Sequence, residues 1–567
     1  MNTRSTMQAD SAQPMGDVRP APTHEVFNQP EPLENYNAYV QDVALREAVH
    51  RAGGKDFDAQ IMAYGELVGG ELIDVGFKAN ENKPVLRTFD RFGHRIDEVE
   101  FHPAYHRAMA LGVEHGLVSL TWTAGAGGRV ARSALIYMHY QVEAGSQCPL
   151  TMTHAVIPSL RAQPEVAAAW EPRILRGAYD PRCIPASDKH GVTIGMAMTE
   201  KQGGSDVRAN TTRAWPVGQP GPGQAYELVG HKWFCSAPMS DAFLTLAYTD
   251  KGLCCFLLPR WCPDGSRNRF HIQRLKDKLG NHSNASSEVE FHGAWAVMVG
   301  EEGRGVATII QMVGETRLDC VIGSAALMRQ ATAQAIRHCE GREAFGKRLV
   351  DQPLMRNVLA DLAVESEASV ALAMRLAQAF EQAEHDEASA LLARIATAAG
   401  KYWVCKRAPL AVNEAQECLG GSGYVEESIL PRLYREAPLN AIWEGSGNVQ
   451  CLDVLRAMSR SPDTVDAFFA ELDGAGGADR HYDQFLAGLK QEFAARDDME
   501  ARARRVVEQM ALALQGSVLL RAGHAAVADA FCRSRLQGDS GLMLGTLPPG
   551  LALDELVARA RPSGHPG

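Results

Sequence analysis

Apolar positions change their spacing twice along the chain. From Asn35 to about Pro185 they recur at helical intervals between Gly-rich breaks, as in the run from Val130 to Met138. From Val192 to about Gly300 they fall into short β-rich runs: Val192–Met198, Tyr226–Val229, Phe243–Tyr248, Cys254–Leu258 and Val289–Phe291. Gly, Pro, Asn and Asp separate these runs, which predicts an antiparallel sheet domain. After Gly305 the helical period returns. Asp351 and Pro353 mark a helix start, with Met355, Val358, Leu359 and Leu362 on one face, and Leu391, Leu392 and Ile395 carry the next helix. Gly420-Gly421 is a stop after Ala415–Leu419, and Gly474–Gly477 loosens the chain before a last Ala-, Leu- and Arg-rich helical stretch. The expectation is an α+β protein. It has an extended segment 1–34, a helical domain 35–190, a middle β domain 191–303, a helical bundle 304–460 and an added helical region 461–567.

Composition narrows this picture. With 46% hydrophobic and 22% charged residues over 567 positions, the chain can bury large cores and is neither disordered nor fibrous. The net charge of −11 argues against a dedicated nucleic-acid binder, since phosphate neutralisation needs excess Lys and Arg. The twelve cysteines include no C-x-x-C pair, so reduced, mostly buried thiols and no metal site are expected. Residues 1–30 lack the apolar stretch of a secretory signal. No apolar run reaches the ~18–20 residues that span a bilayer; Met510–Leu520 comes closest and Arg521 ends it. A soluble, cytoplasmic protein without membrane contact is expected.

Two Gly-rich segments imitate nucleotide loops and fail on detail. Gly125-Ala126-Gly127-Gly128-Arg129-Val130 has Val where a dinucleotide loop needs its third glycine. In the stretch from Gly341 to Arg348, Arg348 replaces the hydroxyl that a P-loop uses to hold Mg²⁺.

Three other segments carry candidate chemistry. Met196-Ala197-Met198-Thr199 runs into Gly203-Gly204-Ser205, a stretch that reads as a tight turn or as a backbone cradle for a phosphate or ring edge. Trp233-Phe234-Cys235-Ser236 sets a large aromatic beside hydroxyl and thiol groups, either as core or as the wall of a flat cofactor. Glu444 lies between Trp443 and Gly445, either a surface loop residue or a partly desolvated carboxylate suited to act as a general base.

Taken together, the order and spacing of these segments resemble the FAD-dependent acyl-CoA dehydrogenases, and more narrowly their bacterial alkylation-response (AidB-type) branch. Thr23–Pro30, Thr199–Asn210, Ile442–Arg456 and the C-terminal region around Ala530-Phe531-Cys532 carry the resemblance, which covers nearly the whole chain. It implies a helical domain, a β domain and a helical bundle, with FAD as cofactor. Met196, Met198 and Thr199 would lie along the flavin, Gly204 and Ser205 near its phosphates, and Trp233, Phe234, Cys235 and Ser236 beside the ring. Arg342, Phe345, Gly420 and Gly421 would reach the FAD of a partner subunit, which implies a homo-oligomer, typically a dimer of dimers. Ser446 and Asn448 would complete the adenosine side. Glu444 would be the base that removes the acyl α-proton, while the thioester carbonyl is polarised in part by the base's own backbone N–H.

Some branches of that family carry the base on the helix containing Gly314–Leu318. The matching position here is Thr316, and Glu315 is offset from it by about 100° on a helix. Two residues depart from the family pattern: Cys235 stands in place of a Ser or Thr hydroxyl, leaving Ser236 as the substitute, and Glu417 stands in place of a Gln near the phosphates. The resemblance also implies binding to double-stranded DNA through the C-terminal region. Yet Ser461–Gly567 holds eleven Lys/Arg against fifteen Asp/Glu, a net of −4. DNA contact therefore requires Arg502, Arg504, Arg505, Arg533 and Arg535 to converge on one face. Two functions follow: a stress-response flavoprotein that binds and protects DNA and retains α,β-dehydrogenation, or a metabolic acyl-CoA dehydrogenase with no DNA role.

Overall fold

A computed structural model describes residues 25–495 and 497–562. The first 24 residues of the extended segment, including Thr23 and His24, lie outside the described residues.

The first helical region contains α1 (Val43–Arg51), α2 (Asp58–Gly69), α3 (Glu71–Glu81), α4 (Pro103–Glu114), α5 (Gly128–Tyr140) and α6 (Gln147–Ala155). The Gly-rich segment before α5 is a structural turn: Gly127 adopts φ 88° and a side chain there would strike the Gly53 carbonyl. One element departs from the all-helical expectation. An antiparallel hairpin, β1 (Val85–Phe89) and β2 (Arg95–Glu100), follows α3 and packs against the β domain. The residues of β1 alternate exposed with half-buried, so only one of its faces needs cover.

The middle region is a seven-stranded sheet: β3 (Ile194–Ala197), β4 (Arg213–Pro216), β5 (Ala225–Ser236), β6 (Ala242–Thr249), β7 (Gly252–Pro259), β8 (Phe270–Leu275) and β9 (Ser286–Val299). The sheet is mixed, which corrects the purely antiparallel expectation. β3 runs parallel to β6, because a long excursion through β4 and β5 separates them. The β6–β7 and β7–β9 pairings curl the sheet around an aromatic core, where Phe243 and Phe270 stack at 5.1 Å between ring centroids.

Helices then build the bundle: α7 (Gly305–Gly341), α8 (Pro353–Gln382), α9 (Glu387–Cys418) and α10 (Gly447–Arg460). Helix α7 is buried along most of its length and meets α5 through a fork-to-fork ion pair. In it, Arg132 donates to both oxygens of Asp319 at 2.7 Å with both groups enclosed. The segment from Gly341 to Arg348 is a tight hairpin, not a phosphate loop, with Phe345 and Gly346 in the left-handed region at its tip. The tail adds α11 (Asp463–Asp473), α12 (Arg480–Ala494) and α13 (Met499–Ala522). The apolar stretch Met510–Leu520 lies inside α13 and packs into the bundle core. Among the described residues no helix is long and apolar enough to cross a membrane, and no His/Cys/Asp/Glu cluster could hold a metal ion.

Candidate functional site

The turn that carries Glu444 is built from its sequence. Pro438 leads into a short 3-10 turn, Leu439–Ala441, and Gly445 with φ 94° turns the chain into α10. Glu444 itself has φ 57°, a conformation that costs a non-Gly residue roughly 1–3 kcal/mol and persists only where the surroundings fix it. Here three helices do so. Arg317 of α7 donates Nε–H to the Glu444 carbonyl at 3.0 Å and Nη1–H to Asp453 of α10 at 2.8 Å. Gln450 of α10 donates to the carbonyls of Glu444 (3.0 Å) and Gly445 (2.9 Å). Lys401 of α9 donates to the carbonyls of Asn440 and Trp443 at 2.8 Å and of Gly445 at 2.9 Å. The Trp443 indole N–H is held by Asn440 at 2.8 Å.

The half-buried Glu444 carboxylate receives a single hydrogen bond from the chain among the described residues, from Thr316 Oγ1 at 2.6 Å, and no cation pairs with it. Its neighbour on α7 is treated in the opposite way. Glu315 is buried against Arg129 Nη1 at 2.5 Å and His154 Nε2 at 3.4 Å. Burial would raise its pKa, but Arg129 and His154 outweigh that and hold it down at about 2. Thr316 thus faces Glu444, and Glu315 faces away into an ion cluster.

The second group of candidates lines the β domain. Met196 is buried at the end of β3, and Met198 and Thr199 follow it half-buried. The next turn packs closely on the Thr199 side chain: a side chain on Gly204 would meet Thr199 Oγ1 at 2.4 Å, while Ser205 is exposed. This turn is fastened by an ion pair invisible to the motif. Glu200 and Lys232, both fully enclosed, meet at 2.8 Å, and Thr211 and Thr212 supply further donors to Glu200. The Thr199 carbonyl accepts from the Trp233 N–H at 2.8 Å, which places the two segments side by side. Lys276 Nζ covers one face of the Trp233 ring at 3.5 Å from its centroid, and Phe234 is half-exposed.

A bulge in β5 falls between Lys232 and Cys235, just before the next two residues. Cys235 turns into the aromatic core, fully enclosed, and burial pushes its thiol up to about 12. This corrects its assignment to the cofactor wall: its side chain has no accessible surface to offer a ligand. Ser236 stays half-buried, with its hydroxyl 3.2 Å from Ser286.

The remaining candidates are scattered over the surface of the bundle. Arg342 donates to the Asn28 carbonyl at 2.6 Å, Phe345 is completely exposed, and no atom crowds Gly420 or Gly421. Glu417 is exposed beside Glu414. Ser446 is the N-cap residue of α10 with its side chain uncommitted to capping, and Asn448 is exposed two positions on.

The five tail arginines do not converge. Arg535 is tied to Asp361 and Glu365 with only 10% of its side chain exposed, so it has little surface to offer DNA. Arg502 is tied to Glu492 at 2.5 Å and to backbone carbonyls, and Arg533 donates to the Pro549 carbonyl between Asp529 and Asp539. Arg504 and Arg505 are exposed; Arg504 lies over the Tyr402 ring and Arg505 shares Glu492 at 3.1 Å.

Lys401, Gln450, Arg317 and the Glu200–Lys232 pair are the functional supports that the motifs did not disclose. Each lies a few residues from a motif or on another helix, so none was singled out by sequence.

Residues 28–181 match the N-terminal domain of the adaptive response protein AidB. Residues 195–294 match the acyl-CoA dehydrogenase middle domain, and 303–459 its C-terminal domain. The chain is 46% identical to AidB of Escherichia coli (strain K12) over 526 residues, 92% of this chain and 96% of that one. It is 29% identical to acyl-CoA dehydrogenase family member 11 of Caenorhabditis elegans over 505 residues, 86% and 78% of the two chains. The crystal structure of C. elegans ACDH-11 in complex with C11-CoA superposes with a TM-score of 0.82 at 26% identity, over 94% of this chain and 95% of that one.

Proposed function

The chain belongs to the acyl-CoA dehydrogenase family, and from that premise we propose that it desaturates an acyl-CoA thioester between Cα and Cβ with Glu444 as the base. Members of this family are FAD-dependent flavoproteins, so the cofactor is FAD. The donor set suits such a group: the Thr199–Ser205 turn comes too close for any side chain at Gly204, and the uncommitted Ser446 hydroxyl stands at the start of α10. Met198, Thr199, Trp233 and Ser236 would hold the ring, and Ser205, Ser446 and Asn448 the phosphate and adenosine side. When bound, the flavin supplies the acceptor for the β-hydrogen and its electron pair.

The observation that carries this reading is the contrast in what surrounds Glu444. Its carboxylate is free of cations and so remains a proton acceptor, while cations hold the carbonyls on either side. The carboxylate takes the α-proton, and the Glu444 N–H stabilises charge on the thioester oxygen. The C11-CoA bound by the nematode relative supports a CoA thioester as substrate class. The fully exposed Phe345 at a hairpin tip and the open Gly420-Gly421 turn support a homo-oligomer, a dimer of dimers, in which these residues reach a partner's cofactor. The domain division at 35–190, 191–303, 304–460 and 461–567 belongs to the same reading.

The test is flavin bleaching by a panel of acyl-CoAs with an artificial electron acceptor. At least one thioester is expected to reduce the wild-type flavin, and Glu444→Gln is expected to slow that reduction by about 10²–10⁴. Reduction by none of the panel, or an unaffected Glu444→Gln variant, overturns the reading.

The match to an adaptive response protein favours a second activity, binding and protection of DNA under alkylation stress. Of the five arginines named for it, only Arg504 and Arg505 are exposed, so any duplex contact through them is weak and salt-sensitive.

A further inference from the structure

Lys401 is only 1% exposed, and each of its three N–H groups is spent on a carbonyl of the Glu444 turn. No carboxylate among the described residues lies within ion-pair distance of it. Placing an ammonium in a dry interior with carbonyl dipoles alone is costly, and a neutral amide could brace a turn without that cost. What the charge adds is polarisation. In a trans peptide the carbonyl and N–H point in opposite directions across one conjugated unit. The carbonyl that Lys401 holds on Trp443 shares its peptide with the N–H of Glu444, and that N–H has no acceptor in the chain among the described residues.

We propose that Lys401 is a positioning residue for the dehydrogenation. It fixes the left-handed Glu444 backbone through three carbonyls and polarises the Trp443–Glu444 peptide, so that the Glu444 N–H becomes a stronger donor to the thioester oxygen. This rests on the function proposed above. Arg317 complements it from α7 by holding the Glu444 carbonyl itself, but Arg317 is already neutralised by Asp453. Lys401 is the cation whose charge is left uncompensated, and so its field acts on the turn.

Two measurements on Lys401→Met test the proposal. In the protein without substrate, amide hydrogen exchange across Asn440–Ser446 is expected to rise at least about tenfold while helices α7 and α9 keep wild-type protection. In the holoenzyme, with whichever acyl-CoA bleaches the wild-type flavin, the reduction rate at saturation is expected to fall about 10²-fold with KM changed less than about threefold. Lys401→Arg, which keeps the charge, is expected to recover part of the rate. Lys401→Gln keeps two N–H donors and stands in should the Met variant not fold; it is expected to restore turn protection more than rate. Wild-type exchange in the turn, or a rate within about threefold of wild type in both neutral variants, overturns the proposal. If the wild type bleaches with no acyl-CoA, the functional reading fails, and the exchange measurement still decides whether Lys401 holds the turn.

Discussion

Glu315 and Glu444 are two carboxylates joined through adjacent residues of one helix, and the protein treats them in opposite ways. Glu315 is enclosed, met by Arg129 and His154, and held ionised down to a pH of about 2. Glu444 is half-buried and takes one hydroxyl, from Thr316. Cations stand near both residues, but around Glu444 they are spent on backbone carbonyls. A carboxylate paired to arginine gives up its affinity for a proton; a carboxylate on a clamped backbone is fixed in position with no cation on its oxygens. The difference between a structural acid and a candidate base therefore lies in which atoms the cations touch.

The largest break in this comparison comes from Glu315→Gln. It leaves Arg129 buried with no full counter-charge, and the loss is expected to be about 3–5 kcal/mol of stability. The folded-state pKa of Glu315 lies below that of an unfolded Glu, so its contribution is complete above the unfolded value near 4.3 and disappears as pH falls toward about 2. Thermal melts of the wild type between pH 5 and pH 2 should therefore converge on those of Glu315→Gln, with the gap present at pH 5 and gone at the acid end. Flavin reduction per folded molecule should change less than about threefold. A variant as stable as wild type at pH 5 would mean that the Arg129–Glu315 pair contributes nothing.

Thr316→Val tests the other side of the comparison with a smaller effect. It removes the one hydroxyl on the Glu444 carboxylate at nearly constant volume. The rate of flavin reduction is expected to fall about tenfold, the worth of one hydrogen bond to a charged group, with stability within about 1.5 kcal/mol of wild type. An unchanged rate would show that the loop alone orients the base.

Much of this was legible in the sequence, and the boundary between what was and was not has a physical cause. Runs such as Phe243–Tyr248 and Cys254–Leu258 lie at the centre of a buried sheet and read plainly as strands. Strand β4 did not, because Trp215 is half-exposed and Pro216 ends it, so its place is set by pairing with β5 rather than by its own pattern. Strand β5 extends past Val229 through His231 and Lys232, polar residues tolerated there only because Glu200 neutralises Lys232. Glu444 was visible through its neighbours Trp443 and Gly445. Lys401, 43 positions earlier in the sequence, was not, since its role depends on how α9 lies against the turn. The inward turn of Cys235 was not legible either: it follows a bulge in β5 that no local residue announces.

The smallest expected effect supplies the third case that the comparison lacks, an ion pair in water. Arg505 meets Glu492 at 3.1 Å with 70% of its side chain exposed, and Arg502 already neutralises that carboxylate at 2.5 Å. Arg505→Ala should leave stability within about 0.5 kcal/mol of wild type, an order of magnitude less than the buried Glu315 pair, because the exposed charge is solvated in both states. The same substitution separates packing from DNA contact. If Arg505 meets a phosphate, its removal lowers the slope of log affinity against log salt by about one while the melt is unmoved. If duplex affinity and its salt slope are also unmoved, the exposed tail arginines are solvated surface, and the chain's −11 charge repels the duplex through this region as it does elsewhere.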